Sequence, residues 1–137
     1  MKIALVQMDV VHGQPVENKK HVKEMLERAL DDSPDVIVLP EMWNTGYALN
    51  ELDGLADKDG LESQELLSRF AREHAVAIIG GSVAIEKEGK FFNTTYVYNN
   101  SGDLINTYSK VHLFGLMAED QYMSAGVDES VFELNGV

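Results

Sequence analysis

Asp35-Val36-Ile37-Val38-Leu39-Pro40-Glu41 is the stretch from which the rest of the chain is read. Val36 to Leu39 is an unbroken apolar run of strand length, the pattern of a strand buried on both faces. Pro40 has no N–H to donate and ends the ladder. Glu41 therefore falls at the C-terminal end of a buried strand, where α/β folds place their chemistry.

Outward from this strand the pattern alternates. Residues 2 to 8 read as a first strand, and Asp9 to Pro15 as a loop. Val22, Met25, Leu26, Ala29 and Leu30 recur at the 3.6-residue period and predict a helix from Glu17 to Leu30. Asp31, Asp32, Ser33 and Pro34 stop it. The polar, acidic segment from Asn50 to Gly60 reads as a surface loop or short helical turn. Leu61 to His74 is a second amphipathic helix, with Leu66, Leu67, Phe70 and His74 on one face. Val76 to Ile79 is the next buried strand, ended by Gly80-Gly81, and Ser82 to Glu86 continues it. Glu88-Gly89-Lys90 turns the chain into a strand from Phe92 to Tyr98. After Asn99-Asn100-Ser101-Gly102-Asp103 a strand from Leu104 to Ser109 delivers Lys110. Ser130 to Val137 alternates like a strand and carries an Asn135-Gly136 hairpin signal. This order predicts an α/β layered domain around a mixed sheet.

Composition narrows the function classes. The 137 residues are 45% apolar, enough for one domain with a core. The formal charge of -12, from 23 acids against 11 bases, disfavours nucleic acid and anionic membranes as partners. No apolar run approaches the ~18–20 residues that a membrane span needs. The N-terminal apolar stretch is too short for a signal peptide, so a cytoplasmic protein is expected. The absence of cysteine excludes disulfides and thiolate metal sites within this stretch. His12, His21, His74 and His112 show no HExxH or other compact metal spacing, and no metal or cofactor is expected.

Two residues stand out for chemistry. Glu41 reads either as an exposed turn glutamate or as an acid enclosed by Met42, Trp43 and Tyr47. Enclosure would raise its pKa toward that of a general base for a thiol or a water. Lys110, in Tyr108-Ser109-Lys110-Val111-His112-Leu113-Phe114, reads either as a solvated strand-end lysine or as a cleft residue that stabilises an oxyanion. Glu119 is either one more acid in an acidic chain or a second carboxylate that orients Lys110. His112 would share the strand face of Lys110 if the strand continued that far. Gly80-Gly81 fits tight turning rather than nucleotide binding. Asn93 has no role that the sequence alone decides.

Assembled, these segments resemble the carbon–nitrogen hydrolase (nitrilase) superfamily. The first element of its Glu-Lys-Cys triad lies in a Leu-Pro-Glu segment, matched by Leu39-Pro40-Glu41. The second lies in a Lys-x-His-Leu-Phe segment, matched by Lys110-Val111-His112-Leu113-Phe114. The additional structural glutamate falls on Glu119, followed by Ala125-Gly126. Gly80-Gly81-Ser82 and Asn93-Thr94 also match family positions. The resemblance implies a four-layer α-β-β-α sandwich, with residues 1–137 as the N-terminal part of a single domain that stops short of the nucleophilic cysteine.

Trp43-Asn44-Thr45-Gly46-Tyr47 and His112 to Glu119 look similar to the omega-amidase-like branch. That branch implies hydrolysis of a small linear amide through a cysteine thioester. The expected substrate is an ω-amide of a dicarboxylic acid, such as 2-oxoglutaramate. Catalytic roles then fall to Glu41, Lys110 and Glu119, and substrate contacts to Trp43, Tyr47 and His112. The family also implies a homo-oligomer, with a dimer as the simplest form. Three other readings are an inactive fragment serving as an association module, a member directed at N-carbamoyl or nitrile substrates, and a hydrolase using Glu41 and Glu119 as an acid/base pair.

Overall fold

The computed structural model describes residues 1–137. The elements run β1 (Ile3–Leu5), α1 (Pro15–Ala29), β2 (Val36–Val38), α2 (Leu52–Leu55), β3 (Asp57–Lys58) and α3 (Leu61–His74). They continue as β4 (Ala77–Ile79), β5 (Val83–Lys87), β6 (Lys90–Tyr98), β7 (Leu104–Ser109) and α4 (Glu119–Tyr122). β1, β2 and β4 are parallel neighbours, as expected of strands joined by crossover helices. β6 is antiparallel to all its neighbours. Along one edge it pairs with β5 through its first half and with β4 through its last residues, and along the other it pairs with β7. β4 and β5 are thus two pieces of one line of strand, interrupted at Gly80–Ser82.

Both long helices form where the apolar period predicts them. α1 starts at Pro15, a residue suited to a first helical turn because its missing N–H has no helical partner there. Val22 and Leu26 are fully buried, with Met25, Ala29 and Leu30 beside them. Leu66, Leu67, Phe70 and Ala71 of α3 join the same core, against Ile37, Ile78, Ile85, Tyr96 and Tyr98 of the sheet. His74 lies against Phe70 with ring centroids 4.3 Å apart. No helix is long and apolar enough to cross a membrane.

The opposite sheet face carries a smaller apolar cluster of Val36, Ala77, Val97 and Leu134, flanked by Val38, Ile79 and Phe132. Here one expectation is corrected. Ser130 to Val137 forms no strand. Phe132 and Leu134 turn onto this face instead, while the backbone of the segment pairs with no neighbouring strand. The Asn135-Gly136 turn does form, with φ of 54° and 80° and reciprocal bonds between Leu134 and Val137. The segment between Asn50 and Gly60 forms the expected short helical turn as α2, but it also packs inward: Leu52 is buried, and β3 pairs with β5.

Candidate active site

Glu41 is positioned by the break between β4 and β5. The chain leaving β2 enters that gap. Leu39 N–H donates to the Ile79 carbonyl at 3.0 Å, and Ser82 N–H donates to the Pro40 carbonyl at 3.1 Å. Beyond Glu41, Met42 N–H donates to Ser82 Oγ at 3.0 Å, and Trp43 N–H donates to the Ser82 carbonyl at 3.1 Å. Ser82 thus ties the backbone down on both sides of the glutamate. Gly81 makes this close approach possible. Its φ is +59°, and a Cβ there would lie 2.0 Å from the Pro40 carbonyl oxygen. Met42 itself has φ of 50°, a left-handed turn that a non-glycine residue adopts only when its surroundings hold it.

Lys110 is held with equal economy. Its N–H donates to the Asn93 carbonyl, and its carbonyl accepts from Gly126 N–H, both at 2.9 Å. Gly126 packs so closely that a Cβ would lie 2.1 Å from the Ser109 carbonyl oxygen.

The side chains converge. Lys110 Nζ lies 2.8 Å from Glu41 Oε1 and 2.9 Å from Glu119 Oε2. Asn93 Nδ2 donates to Glu41 Oε1 at 2.9 Å and to Glu119 Oε1 at 2.8 Å. Phe114 N–H donates to Glu119 Oε2 at 2.7 Å. Glu119 has no accessible side-chain surface, whereas Glu41 is 48% exposed and Lys110 25%. A fully buried carboxylate is tolerated only when paired and hydrogen-bonded, and Glu119 has three such donors. Both its oxygens are occupied and enclosed, so it reaches no substrate. This argues against Glu41 and Glu119 sharing acid/base work.

Burial pushes the Glu41 carboxyl up, but the Lys110 ammonium, the nearby Tyr47 hydroxyl and the Asn93 amide outweigh it and hold the pKa below 4.5. This corrects the expectation of a raised value. The same balance holds Glu119 low, through Asn93, Phe114 N–H and Lys110. Burial pulls Lys110 down, yet its bonds to Glu41 and Glu119 hold its pKa above the usual lysine value. Burial and Glu41 together push the Tyr47 phenol up to about 12. At neutral pH the cluster is two carboxylates around one ammonium. An ammonium has three donors, and the carboxylates take two. Glu41, Ser82, Asn93, Thr95, Tyr108 and Lys110 border a cavity of about 270 Å³.

Not every residue singled out in the sequence reaches this point. Tyr47 does, through Glu41. Trp43 does not: it is 1% exposed, lies in the helix-side core, and its indole N–H donates to the Gly80 carbonyl at 2.9 Å. His112 does not share the face of Lys110, because β7 ends at Ser109 and the histidine follows in an exposed bend. Asn93, whose role the sequence leaves undecided, does reach this point. Its signal was an amide in the middle of a strand, a residue type depleted in strands and obliged to find partners when buried.

Comparisons with known proteins give the family. A profile described as carbon-nitrogen hydrolase matches residues 2–137, and the chain belongs to that family. It is 44% identical over 135 residues to the 2-oxoglutaramate amidase of Bacillus subtilis (strain 168), covering 98% of this chain and 52% of that protein. It is 32% identical over 139 residues to an omega-amidase of Xenopus laevis, covering 96% of this chain and 50% of that one. The crystal structure of a CN-hydrolase superfamily protein from Xanthomonas campestris, with an arsenic adduct in its active site, superposes with a TM-score of 0.88 at 27% identity. That match covers 98% of this chain and 49% of the other. The fold is thus the α/β sandwich of this superfamily, and the chain spans about half the length of the curated relatives it matches.

Proposed function

We propose that this chain supplies the acid/base and electrostatic half of a cysteine-dependent amidase. The substrate class is a small linear ω-amide of a dicarboxylic acid, such as 2-oxoglutaramate, cleaved to the carboxylate and ammonia. The observation that carries the reading is Lys110 Nζ, clamped 2.8 Å from Glu41 and 2.9 Å from Glu119 beside an open cavity. Similarity to the 2-oxoglutaramate amidase of Bacillus subtilis supports the choice of substrate. The nucleophile is a cysteine contributed by chain beyond Val137, within the single domain of which these residues form the first part. The full-length protein is this chain with that continuation.

Glu41 is ionised at neutral pH and takes the proton of the thiol. The thiolate attacks the amide carbon, and the carbonyl oxygen becomes an oxyanion. The free N–H of Lys110 stabilises that charge. A carboxyl held at low pKa is a ready acid once protonated, so Glu41 passes its proton to the nitrogen as the C–N bond breaks and ammonia departs. Glu41 then takes a proton from water, hydroxide adds to the thioester carbon, and the thiol leaves with the proton returned. Glu119 holds Lys110 between the two carboxylates throughout.

Intact mass of the full-length protein during incubation with 2-oxoglutaramate tests this. A transient acyl adduct on a cysteine, with ammonia released, is the expected result. Ammonia release with no adduct, or no reaction with any short ω-amide, would overturn it.

A further inference from the structure

We infer that Asn93 is a positioning residue that locks Glu41 and Glu119 into one charge-bearing unit and selects which oxygen of Glu41 does the proton transfer. The inference rests on the amidase reading above. It assigns a function to a side chain that the Glu-Lys-Glu cluster alone leaves without one.

The geometry is specific. A carboxamide nitrogen has two N–H bonds. Asn93 Nδ2 places one carboxylate oxygen at 2.9 Å and a different carboxylate's oxygen at 2.8 Å. The orientation of the amide is dictated by chemistry. Both neighbours are carboxylates that only accept, so the nitrogen must face them and the oxygen cannot. Asn93 is 3% exposed, and its backbone is fixed twice: it is the register partner of Ala84 on β5, and its carbonyl accepts from Lys110 N–H. The residue that anchors the lysine's backbone therefore also holds both of the lysine's ion-pair partners. Lys110 and Asn93 close a ring of four bonds through the two glutamates.

The ring has a consequence for Glu41. Its Oε1 accepts from both Lys110 Nζ and Asn93 Nδ2. Two donors on one oxygen draw charge to that oxygen and leave Oε2 as the site for an incoming proton. A carboxylate free to rotate would present either oxygen and would spend part of its time with Lys110 on the wrong one. Asn93 removes that freedom at a carboxylate that is otherwise 48% exposed.

Asn93→Ala and Asn93→Asp in the full-length protein, measured beside Glu41→Gln, test the inference. Asn93→Ala removes one hydrogen bond to each carboxylate. Its kcat is expected to fall about 10- to 100-fold, the loss typical of a hydrogen bond to a charged group, with KM within about threefold. The acidic limb of its pH–rate profile moves to higher pH, because Glu41 has lost a donor that favours its charged form. Asn93→Asp keeps the shape and adds a third carboxylate, so the limb moves further in the same direction. If Asn93→Ala does not fold, the isosteric Asn93→Asp alone decides through its pH limb. Unchanged kcat and an unmoved limb in these variants, with Glu41→Gln inactive, would overturn the role of Asn93 and leave the amidase reading standing. An active Glu41→Gln would overturn the amidase reading itself.

Discussion

The ammonium of Lys110 lies 2.9 Å from Glu119 Oε2, a carboxylate with no accessible side-chain surface. The pair is a structural commitment as well as a chemical one. Glu119 was taken out of water entirely, and only Lys110, Asn93 and the Phe114 N–H compensate for its lost hydration.

Truncating one partner of such a pair strands the other. Glu119→Ala leaves Lys110 and Asn93 with donors facing an empty space. We expect a stability loss of about 3–5 kcal/mol, measured by urea denaturation. Lys110→Ala falls in the same range, because it leaves Glu119 buried and charged. A loss below about 1 kcal/mol for either would show that the cluster is as hydrated as a surface pair.

Stability should depend on pH at both ends of the range. Glu41 and Glu119 titrate below 4.5 when folded, so the unfolded chain takes up protons first on acidification. Their contribution is complete above 4.5 and is lost as pH falls through the folded values. Lys110 titrates above 10.5 when folded, so its contribution is complete below 10.5 and is lost as pH rises through its folded value. The Tyr47 phenol, raised from 10.0 to about 12, adds to the alkaline loss. Denaturation midpoints across pH are expected to show a plateau from these groups between the two limits. Lys110→Met should reduce the acid-side slope, chiefly through Glu41, because Glu119 keeps its bonds from Asn93 and the Phe114 N–H.

Gly81→Ala should be costly and Gly89→Ala mild, although both glycines have positive φ, +59° and +73°. The backbone penalty for a left-handed L-residue is about 1–2 kcal/mol in each. Only at Gly81 does the new Cβ also meet the Pro40 carbonyl, at 2.0 Å, whereas nothing lies within 4 Å at Gly89. The difference between the two variants, read by thermal melting, reports the clash that displaces Glu41. Equal losses would mean that the gap at Gly80–Ser82 opens freely.

Trp43→Phe should affect stability and leave substrate affinity alone. The substitution strips the indole N–H from the Gly80 carbonyl, a buried acceptor whose loss of partner costs about 1–3 kcal/mol. KM of the full-length protein should stay within about twofold, because Trp43 sits in the helix-side core and does not line the cavity at Glu41. A large rise in KM would return Trp43 to the substrate pocket.

The residues that carry the fold were legible where burial is nearly continuous. Val36–Leu39 and Val76–Ile79 are buried except for the partly exposed Val38 and Ile79, and runs of that length fit strands better than helices. The stripes through Val22 and Leu26 and through Leu66, Leu67 and Phe70 declare their helices by period. β3 was not legible, because Asp57 and Lys58 become a strand only by pairing with Ile85 and Glu86. The strand expected at Ser130–Val137 fails because Phe132 and Leu134 find apolar partners on the sheet without a backbone ladder.

Glu41, Lys110 and Glu119 each kept a bland alternative in the sequence, and only the family resemblance singled them out together. The direction of the Glu41 pKa was not legible. Burial and the neighbouring Tyr47 are local, but the two hydrogen-bond donors that tip the balance, Asn93 and Lys110, lie 52 and 69 positions away. Trp43 was misplaced for a backbone reason. The left-handed Met42 redirects the chain after Glu41, and the indole next along enters the core.

The most direct test of the account is ammonia release from 2-oxoglutaramate by the full-length protein and its Glu41→Gln variant. Glutamine keeps the shape and the contact with Lys110 but cannot carry the proton. In a variant that remains folded, kcat is expected to fall about 10²-fold or more, the contribution of a positioned general base. A Glu41→Gln variant that releases ammonia at close to the wild-type rate would contradict that role.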